Sequence, residues 1–425
     1  MTRDHPQQAR RHVHLTRGVL ALTAMVVGVV SFGPVPFAHG RSLPQDGSGR
    51  CDQNTTAYMP DAAPGPAALG LDNAHAYSRG ANVTVAVVDS GVASGNSHLD
   101  SVLLPGVDLV DKSDGRTDVY GMGTAIAGLV AAQPVAGSGL VGVAPDAKIL
   151  PVRVYVQMQA NSGATPSHVP SPAVTAQGIT WAADHGAQII VVPTPFTADD
   201  TSLHLAVSHA HDVGSLVIAP VGDASTTNGG AQTPDTTMRY PAAYTDVVLG
   251  VTGVDATGQA TPATVHNSSV RLAVPGSGVI STFYNRGDCE FTADSPSSLF
   301  AVGYAAGLAA LIASRYPQET PDDWTYRLLV TAVRPLPAQR DDDIGWGLAD
   351  PLAALTFIND GTAAGPPNPR GDAPADTVPR PHPPGHVQSN SLPDGDRIAL
   401  IVCAAAACLV ALVAPLLVAK ARKRD

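Results

Sequence analysis

The stretch "VTVAVVDSG", residues 83–91, offers the first side chain that could take part in catalysis. Its apolar run predicts a buried strand, which ends at Asp89 and a glycine turn. Ligands of parallel sheets bind at the carboxyl ends of the strands, so Asp89 lies where a catalytic carboxylate is expected. An aspartate that caps a turn would give the same pattern, so Asp89 alone does not indicate an enzyme.

Two further groups of polar side chains could bind a metal ion. Three histidines lie on one predicted helix: His204, His209 and His211. Their spacings of five and seven residues differ from the i, i+4 pair of zinc sites, so a solvated helix face is predicted. Four aspartates form an acidic loop: Asp108, Asp111, Asp114 and Asp118. Calcium could bind there, although the EF-hand spacing is absent. The sequence has no phosphate-binding loop, CxxC pair or haem motif, so neither a metal nor a cofactor is predicted.

The elements that must position Asp89 alternate between strands and helices. Strands are predicted over residues 83–91, 147–156, 188–192 and 215–222. Helices are predicted over residues 122–132, 171–187, 201–214 and 299–317. This alternation predicts an α/β fold with a mostly parallel central sheet and helices on both faces. The last helix is almost entirely apolar, so we expect it to be buried.

The N-terminal part of the chain carries the pattern of an export signal. Residues 1–40 combine several arginines with a following apolar run and small residues near Gly40, as in a signal peptide. An uncleaved signal anchor is the alternative, because the apolar run is long. Residues 41–70 are predicted as an N-terminal extension, and residues 71–358 as one compact domain.

The C-terminal part of the chain carries the pattern of a membrane anchor. Residues 359–396 are rich in proline and lack a hydrophobic period, which predicts a linker. A transmembrane helix is predicted over 397–419, because residues 398–419 carry no charge and would span about 33 Å as a helix. The basic tail, residues 420–425, places the C-terminus in the cytoplasm and the body outside the cell membrane.

The charges and cysteines bear on the partners and the compartment. The net charge is −11, and because the first 40 and the last six residues each carry +3, the segment between them carries about −17. So acidic a body excludes nucleic acid as a partner, since nucleic acid requires a basic surface. Cys51 and Cys289 lie in the predicted exported body, where a disulfide between them is favoured. Cys403 and Cys408 lie in the predicted membrane helix.

Nine stretches, in this order, resemble the subtilisin-like serine proteases, the subtilase family. They are "VAVVDSGV", "GMGTAIAGLVAA", "GLVGVAPDAKILPVRV", "ITWAADHGAQII", "LVIAPVGD", "YPAAYTDVVLGVTGVDATG", "VPGSGVIST", "SLFAVGYAAGLAALIA" and "GWGLADPLAAL", and they cover residues 75–357. Together with the flanking segments, they resemble the mycosins, the membrane-anchored subtilases of type VII secretion systems. The resemblance implies subunits of the secretion complex in the inner membrane as partners.

The resemblance also assigns the catalytic positions, and three of the four are altered. Asp89 matches the aspartate of the triad. Met122 stands at the histidine position, and a thioether cannot carry a proton at neutral pH. Leu299 stands at the serine position; Ser298 could replace it only after a slip that turns the side chain by about 100°, so Ser298 is predicted to be a helix N-cap. Asp223 stands where the family has the asparagine that donates to the oxyanion, and a carboxylate would repel that charge.

The size of these losses decides the predicted function. In subtilisin, losing the serine or the histidine costs about 10⁶ in turnover, and losing the oxyanion donor costs about 10² to 10³. Pro193 and Pro195, which lack N–H groups, further weaken the edge that would pair with a peptide substrate. The sequence therefore predicts an inactive subtilase that acts as a structural component of a secretion complex. An active serine endopeptidase and a peptide-binding module are the alternatives.

Overall fold

The computed structural model describes residues 51, 55–159, 168–224 and 235–371. The strands are β1 Thr84–Asp89, β2 Val107–Asp108, β3 Lys148–Arg153, β4 Ile189–Val191, β5 Leu216–Pro220, β6 Val248–Val254, β7 Leu272–Pro275, β8 Val279–Thr282 and β9 Asp288–Thr292. The helices are α1 Pro64–Ala68, α2 Leu71–Ala74, α3 Met122–Ala131, α4 Pro172–Asp184, α5 Thr201–Asp212, α6 Ser298–Arg315, α7 Pro321–Val330 and α8 Pro351–Thr356.

A seven-stranded sheet forms the centre of the molecule, with the strand order β2-β3-β1-β4-β5-β6-β7. Every pairing in it is parallel, and β1 pairs with both β3 and β4. Strands β8 and β9 form a separate antiparallel pair. The predicted α/β fold is confirmed, and the carboxyl ends of the sheet strands meet at one edge.

The two faces of the sheet explain why its strands are apolar throughout. On β1, Val85 and Val87 pack into the core formed with α3 and α6, while Ala86 and Val88 pack into the core formed with α4 and α5. Successive side chains of a strand point to opposite faces, so a strand covered on both sides needs a continuous apolar run.

Helix α6 crosses the centre of the first core. Within the part of the chain that the structure describes, it is the helix long and apolar enough to cross a membrane, but 83% of it is buried inside the protein. Burial accounts for its composition, as predicted. The predicted signal peptide, transmembrane helix and basic tail, and the later part of the predicted linker, lie outside the described residues.

The N-terminal extension is fixed to the hairpin of β8 and β9. Cys51 and Cys289 form a disulfide with a Cα–Cα distance of 5.5 Å. Ala57 donates its backbone N–H to the Arg286 carbonyl at 3.0 Å, and Asp288 donates its backbone N–H to the Ala57 carbonyl at 3.1 Å. This hairpin was not among the predicted elements, because its strands are short and partly polar.

Candidate active site

Asp89 lies at the end of β1, completely buried, and its carboxylate is surrounded by hydroxyl groups. Ser90 Oγ donates to Asp89 Oδ1 at 3.0 Å, and the Tyr155 hydroxyl donates to the same oxygen at 2.9 Å. Thr194 Oγ1 donates to Oδ2 at 3.2 Å. Three hydroxyl donors therefore hold a carboxylate that in a serine-protease triad would accept from an imidazole.

The electrostatics of Asp89 differ from those of a catalytic aspartate. Burial, together with the nearby carboxylate of Asp118, raises the pKa of Asp89 to about 7 in spite of the hydrogen bonds that lower it. Burial also raises the pKa of Asp118. A triad aspartate stabilises the imidazolium by remaining ionised, whereas Asp89 is partly protonated at neutral pH.

Met122 opens helix α3 and lies against the apolar core, with 7% of its surface exposed. The turn before it needs Gly121, whose φ is +94°. Asp118 holds this helix start: its Oδ1 accepts from the Gly121 N–H at 2.6 Å, and its Oδ2 accepts from the Thr124 N–H at 2.9 Å. The loop is thus built as the start of a helix, with no group at Met122 that can carry a proton.

The start of helix α6 is capped from a distant strand end. Asp223 Oδ2 accepts from Ser297 Oγ at 2.6 Å, and Asp223 Oδ1 accepts from the Ser298 N–H at 2.6 Å. Ser297, not Ser298, is the N-cap residue, so the expectation that Ser298 caps the helix was wrong. The carboxylate provides this cap because it carries negative charge at the positive end of the helix.

The groups that would attack and stabilise a substrate are accordingly missing or occupied. Leu299 is half-buried and packs against the core. Ser298 is fully buried, and its Oγ accepts from the Gly253 N–H at 3.3 Å. Asp223 already takes a backbone N–H at the helix start, the kind of donor that stabilises an oxyanion.

The backbone segment that follows β4 also forms hydrogen bonds within the chain. Phe196 donates its N–H to the Tyr240 carbonyl at 2.7 Å and accepts from the Tyr240 N–H at 2.8 Å. The side chain of Thr194 points to Asp89, and the flanking prolines have no N–H groups. At this edge the backbone groups of Phe196 are therefore occupied, and the two prolines cannot donate to an incoming peptide strand.

The other polar clusters form ion pairs and ring contacts. Arg153 donates to Asp108 at 2.9 Å and to Asp111 at 3.0 Å, and Arg116 pairs with Asp114. On α5, the three histidines contact separate partners, which are Tyr244 for His204, Asp184 for His209 and Asp322 for His211. Among the residues described, no three metal-ligating side chains come together.

His98 does not replace the missing histidine. It is buried, its Nδ1 lies 2.6 Å from the Gln133 carbonyl, and its Nε2 lies 3.5 Å from a carboxylate oxygen of Asp288. These neighbours belong to the side of the molecule that holds the N-terminal extension, since Asp288 also accepts from the Met59 N–H at 2.6 Å.

Sequence reasoning assigned four catalytic positions by resemblance, and it missed the residues that contact Asp89 and the start of α3. Tyr155 follows β3, Thr194 follows β4 and Asp118 precedes α3, so none of them is near Asp89 in the sequence. The available signal was the parallel topology, because strands that end at the same edge bring the residues after them together. A tyrosine or threonine at such a position has many other uses, and the sequence alone did not single these out.

A doubly wound parallel sheet with a buried aspartate after β1 and a buried apolar helix capped from the end of β5 defines a subtilisin-like domain. The chain belongs to the subtilase family, whose family model matches residues 80–347, and within that family to the mycosins. Mycosin-4 of Mycobacterium tuberculosis is 34% identical over 389 residues, or 83% of this chain and 81% of the relative. Mycosin-1 of the same organism is 31% identical over 412 residues, or 84% and 89%.

Solved structures give the same classification. The MycP3 protease from the type VII (ESX-3) secretion system has a TM-score of 0.62 at 29% identity, covering 73% of this chain and 93% of the other. A chain of an intact ESX-5 inner membrane complex also has a TM-score of 0.62, covering 87% and 94%. Its identity is 24%, and this likeness is one of fold alone.

Proposed function

We propose that this protein is a subtilase without peptidase activity that serves as a membrane-anchored structural component of a type VII secretion complex. The observation that carries the proposal is the set of partners of Asp89. Both of its carboxylate oxygens accept from hydroxyl groups, and the helix start that should supply the base supplies Met122. A site with no base has no means of activating a serine.

The residues around the serine and oxyanion positions also support the absence of peptidase activity. Ser298 is buried and engaged by the backbone of Gly253, so its hydroxyl has no path to a substrate. Asp223 brings a negative charge to the place where an oxyanion would develop. The active-endopeptidase alternative would require all three positions to rearrange together.

The secretion part of the proposal is supported by the relatives. Two mycosins match most of this chain, and the MycP3 structure belongs to a type VII secretion system. The same fold is present in an ESX-5 inner membrane complex. The predicted transmembrane helix over 397–419 would hold the body at the outer face of the same membrane.

The peptide-binding alternative is less well supported by the site. A module that captures secreted chains as an added strand needs an edge with free backbone groups. The bridge between Phe196 and Tyr240 uses such groups, and Pro193 and Pro195 offer no donors. We therefore expect the partner contacts of this protein to lie away from the region around Asp89 and the edge after β4.

The inactivity is tested by labelling the purified full-length chain with a fluorescent fluorophosphonate, beside an active subtilase and a heat-denatured sample of the chain. We expect no labelling above the heat-denatured sample. Labelling that disappears in Ser298→Ala would show an active serine and overturn this part of the proposal.

The structural role is tested by extracting native membranes with a gentle detergent and recovering the chain through a tag placed after Asp425. We expect type VII membrane subunits to co-purify in a fixed ratio, and an unrelated single-pass membrane protein with the same tag to recover none. Recovery of secreted proteins without membrane subunits would favour the binding module instead.

A further inference from the structure

The segment that leaves the domain, residues 359–371, lies on the body rather than extending away from it. Its main contact is Arg370, whose Nε donates to Asp323 Oδ1 at 2.7 Å and whose Nη2 lies 3.1 Å from Glu319 Oε1. Both carboxylates are largely buried, while half of the arginine side chain is exposed. The segment, called the strap below, is thus fixed at its end by one arginine on two acids.

The two acids are held in place by the body itself. Arg327 donates to both oxygens of Glu319, at 2.6 and 2.8 Å, and Asp323 accepts from the Thr320 N–H in the capping box of α7. Burial would raise the pKa of Asp323, but hydrogen bonds from Arg370 and Thr320 lower it below its usual value. The acidic pair is therefore a preformed receptor for a guanidinium group.

Two polar contacts fix the rest of the strap. Asn359 and Asn368 exchange side-chain amide hydrogen bonds, each at 2.9 Å, which closes the strap into a loop. Arg334 Nη2 donates to the Ala364 carbonyl at 3.4 Å. None of these contacts belongs to a helix or a strand.

Apolar packing contributes little to holding the strap. Pro366 is the one strap residue that is fully buried. A cleft of about 360 Å³ remains between the strap and the body, lined by strap prolines on one side and by Arg271, Tyr326 and Leu329 on the other. A segment attached by polar contacts over an open cleft can detach while the core beneath it stays folded.

The position of the strap relative to Asp89 follows from the sheet. The cleft is also lined by Leu216 and Val248, which are the first residues of β5 and β6. Asp89 is the last residue of β1, and the strands are parallel. The strap therefore lies at the amino edge of the sheet, opposite the degenerate site.

We propose that residues 359–371 form a detachable strap, pinned by Arg370 to Glu319 and Asp323, which sets the point where the chain leaves the body. Docked, it makes the chain leave at the amino edge of the sheet, away from the degenerate site. Released, it adds about 40 Å of extended chain at about 3.1 Å per residue. That this chain leads to a membrane rests on the proposed function; the docking does not.

The test is limited trypsin digestion of the folded, full-length chain, following cleavage between Arg370 and Gly371 by mass spectrometry. Asp323→Asn keeps the helix cap but removes the charge, and Glu319→Gln is the second variant. We expect either change to speed this cleavage about two- to fivefold, since losing a half-exposed charge pair shifts the opening equilibrium by about that factor. Asp184→Asn is the control, because Asp184 is a half-exposed acid at the end of α4 that pairs with His209 and does not line the cleft.

Cleavage after Arg116, which lies in the loop before α3 and does not line the cleft, reports on the body in the same digest. If the native chain is cleaved after Arg370 as fast as the variants, the strap is not docked and the inference is wrong. If cleavage after Arg116 rises in step, the strap does not separate from the body and the inference is equally wrong. Neither result involves peptidase activity or secretion, so the proposed function would stand in either case.

Discussion

Asp89 keeps the residue type of a catalytic aspartate but not its environment. In a triad, the partner of the aspartate is an imidazole that becomes a cation. Here the partners are neutral hydroxyls of Ser90, Tyr155 and Thr194 inside a site from which water is excluded. The buried negative charge has no compensating positive charge among these partners, and its pKa rises as a result.

This environment predicts a stability that depends on pH through Asp89. The folded-state pKa of about 7 is above the ordinary 3.8, so the folded state retains the proton and this stabilisation is lost as the pH rises from about 4 through 7. The full difference is on the order of 4 kcal/mol. We expect Asp89→Asn to leave the free energy of unfolding nearly unchanged at pH 4 and to increase it by a few kcal/mol at pH 8.

Urea unfolding at the two pH values measures this effect. The comparison is between the variant and the native chain at each pH, so other titrating groups cancel to first order. A variant that is less stable than the native chain at pH 8 would contradict the assigned protonation.

The hydroxyl of Tyr155 should contribute to stability where that of Tyr304 does not. Both tyrosines are buried, but Tyr155 donates to Asp89, whereas the Tyr304 hydroxyl has no partner among the residues that the structure describes. Tyr155→Phe removes one of the three hydroxyl donors of the buried Asp89 carboxylate, and we expect a loss of about 1–3 kcal/mol. Tyr304→Phe is the matched control, with an expected change near zero or in the stabilising direction.

Thermal and urea unfolding of the two variants under identical conditions provide the measurement. Equal losses in both would mean that the hydrogen bond to Asp89 adds nothing, and the account of the site would need another donor.

At the scale of elements, Asp223 caps the start of one helix from the end of a distant strand. It connects the end of β5 to the start of α6 through Ser297 and Ser298. We expect Asp223→Ala to lower the free energy of unfolding by about 1–3 kcal/mol, because a buried helix start loses its cap. Asp223→Asn keeps one acceptor, so its loss should be smaller.

The unfolding free energies of the two variants decide between capping and catalysis. A chain that tolerates Asp223→Ala without loss, yet gains fluorophosphonate labelling with Asp223→Asn, would show that the position still serves an oxyanion.

The helices and strands were largely predictable from the sequence, whereas several contacts between them were not. The buried strands and the apolar helix α6 were predictable, because a core with two covered faces imposes continuous apolar runs. The assignment of Met122 and Leu299 to catalytic positions rests on short-range patterns around them and stays a prediction. The contacts of Tyr155 and Asp223 did not, because they join residues separated by more than 60 positions, and only the folded sheet brings them together.

The docking of the strap could not be predicted from the sequence either. Residues 359–371 have the composition of a linker, and a proline-rich segment without a hydrophobic period predicts an extended chain. Its docking depends on one arginine, Arg370, that contacts Glu319 and, 47 residues earlier in the sequence, Asp323. Charge pairs at such separations leave no periodic signal.

At the scale of the whole molecule, the N-terminal extension is tied to the domain by one covalent bond. The Cys51–Cys289 disulfide closes a loop of 238 residues, and such cross-links restrict the unfolded chain. We expect the double change Cys51→Ser, Cys289→Ser to cost about 2–5 kcal/mol. Thermal unfolding of this variant and of the native chain, each with and without reductant, measures it.

In that experiment, reductant should lower the unfolding temperature of the native chain alone. If the unfolding temperature of the native chain is unchanged by reductant under conditions that expose the bond, the disulfide does not restrain the extension.

The bridge between Phe196 and Tyr240 has a consequence for the surroundings in which such a protein would work. Beside a secretion pore, unfolded segments pass continually, and an enzyme of this fold would engage them as strands. In this chain the backbone groups of Phe196 are already bonded to Tyr240, so this edge pairs less readily with such a segment. In the proposed role, loss of the catalytic groups alone would leave a site that could still bind passing chains, and the bridge reduces that binding.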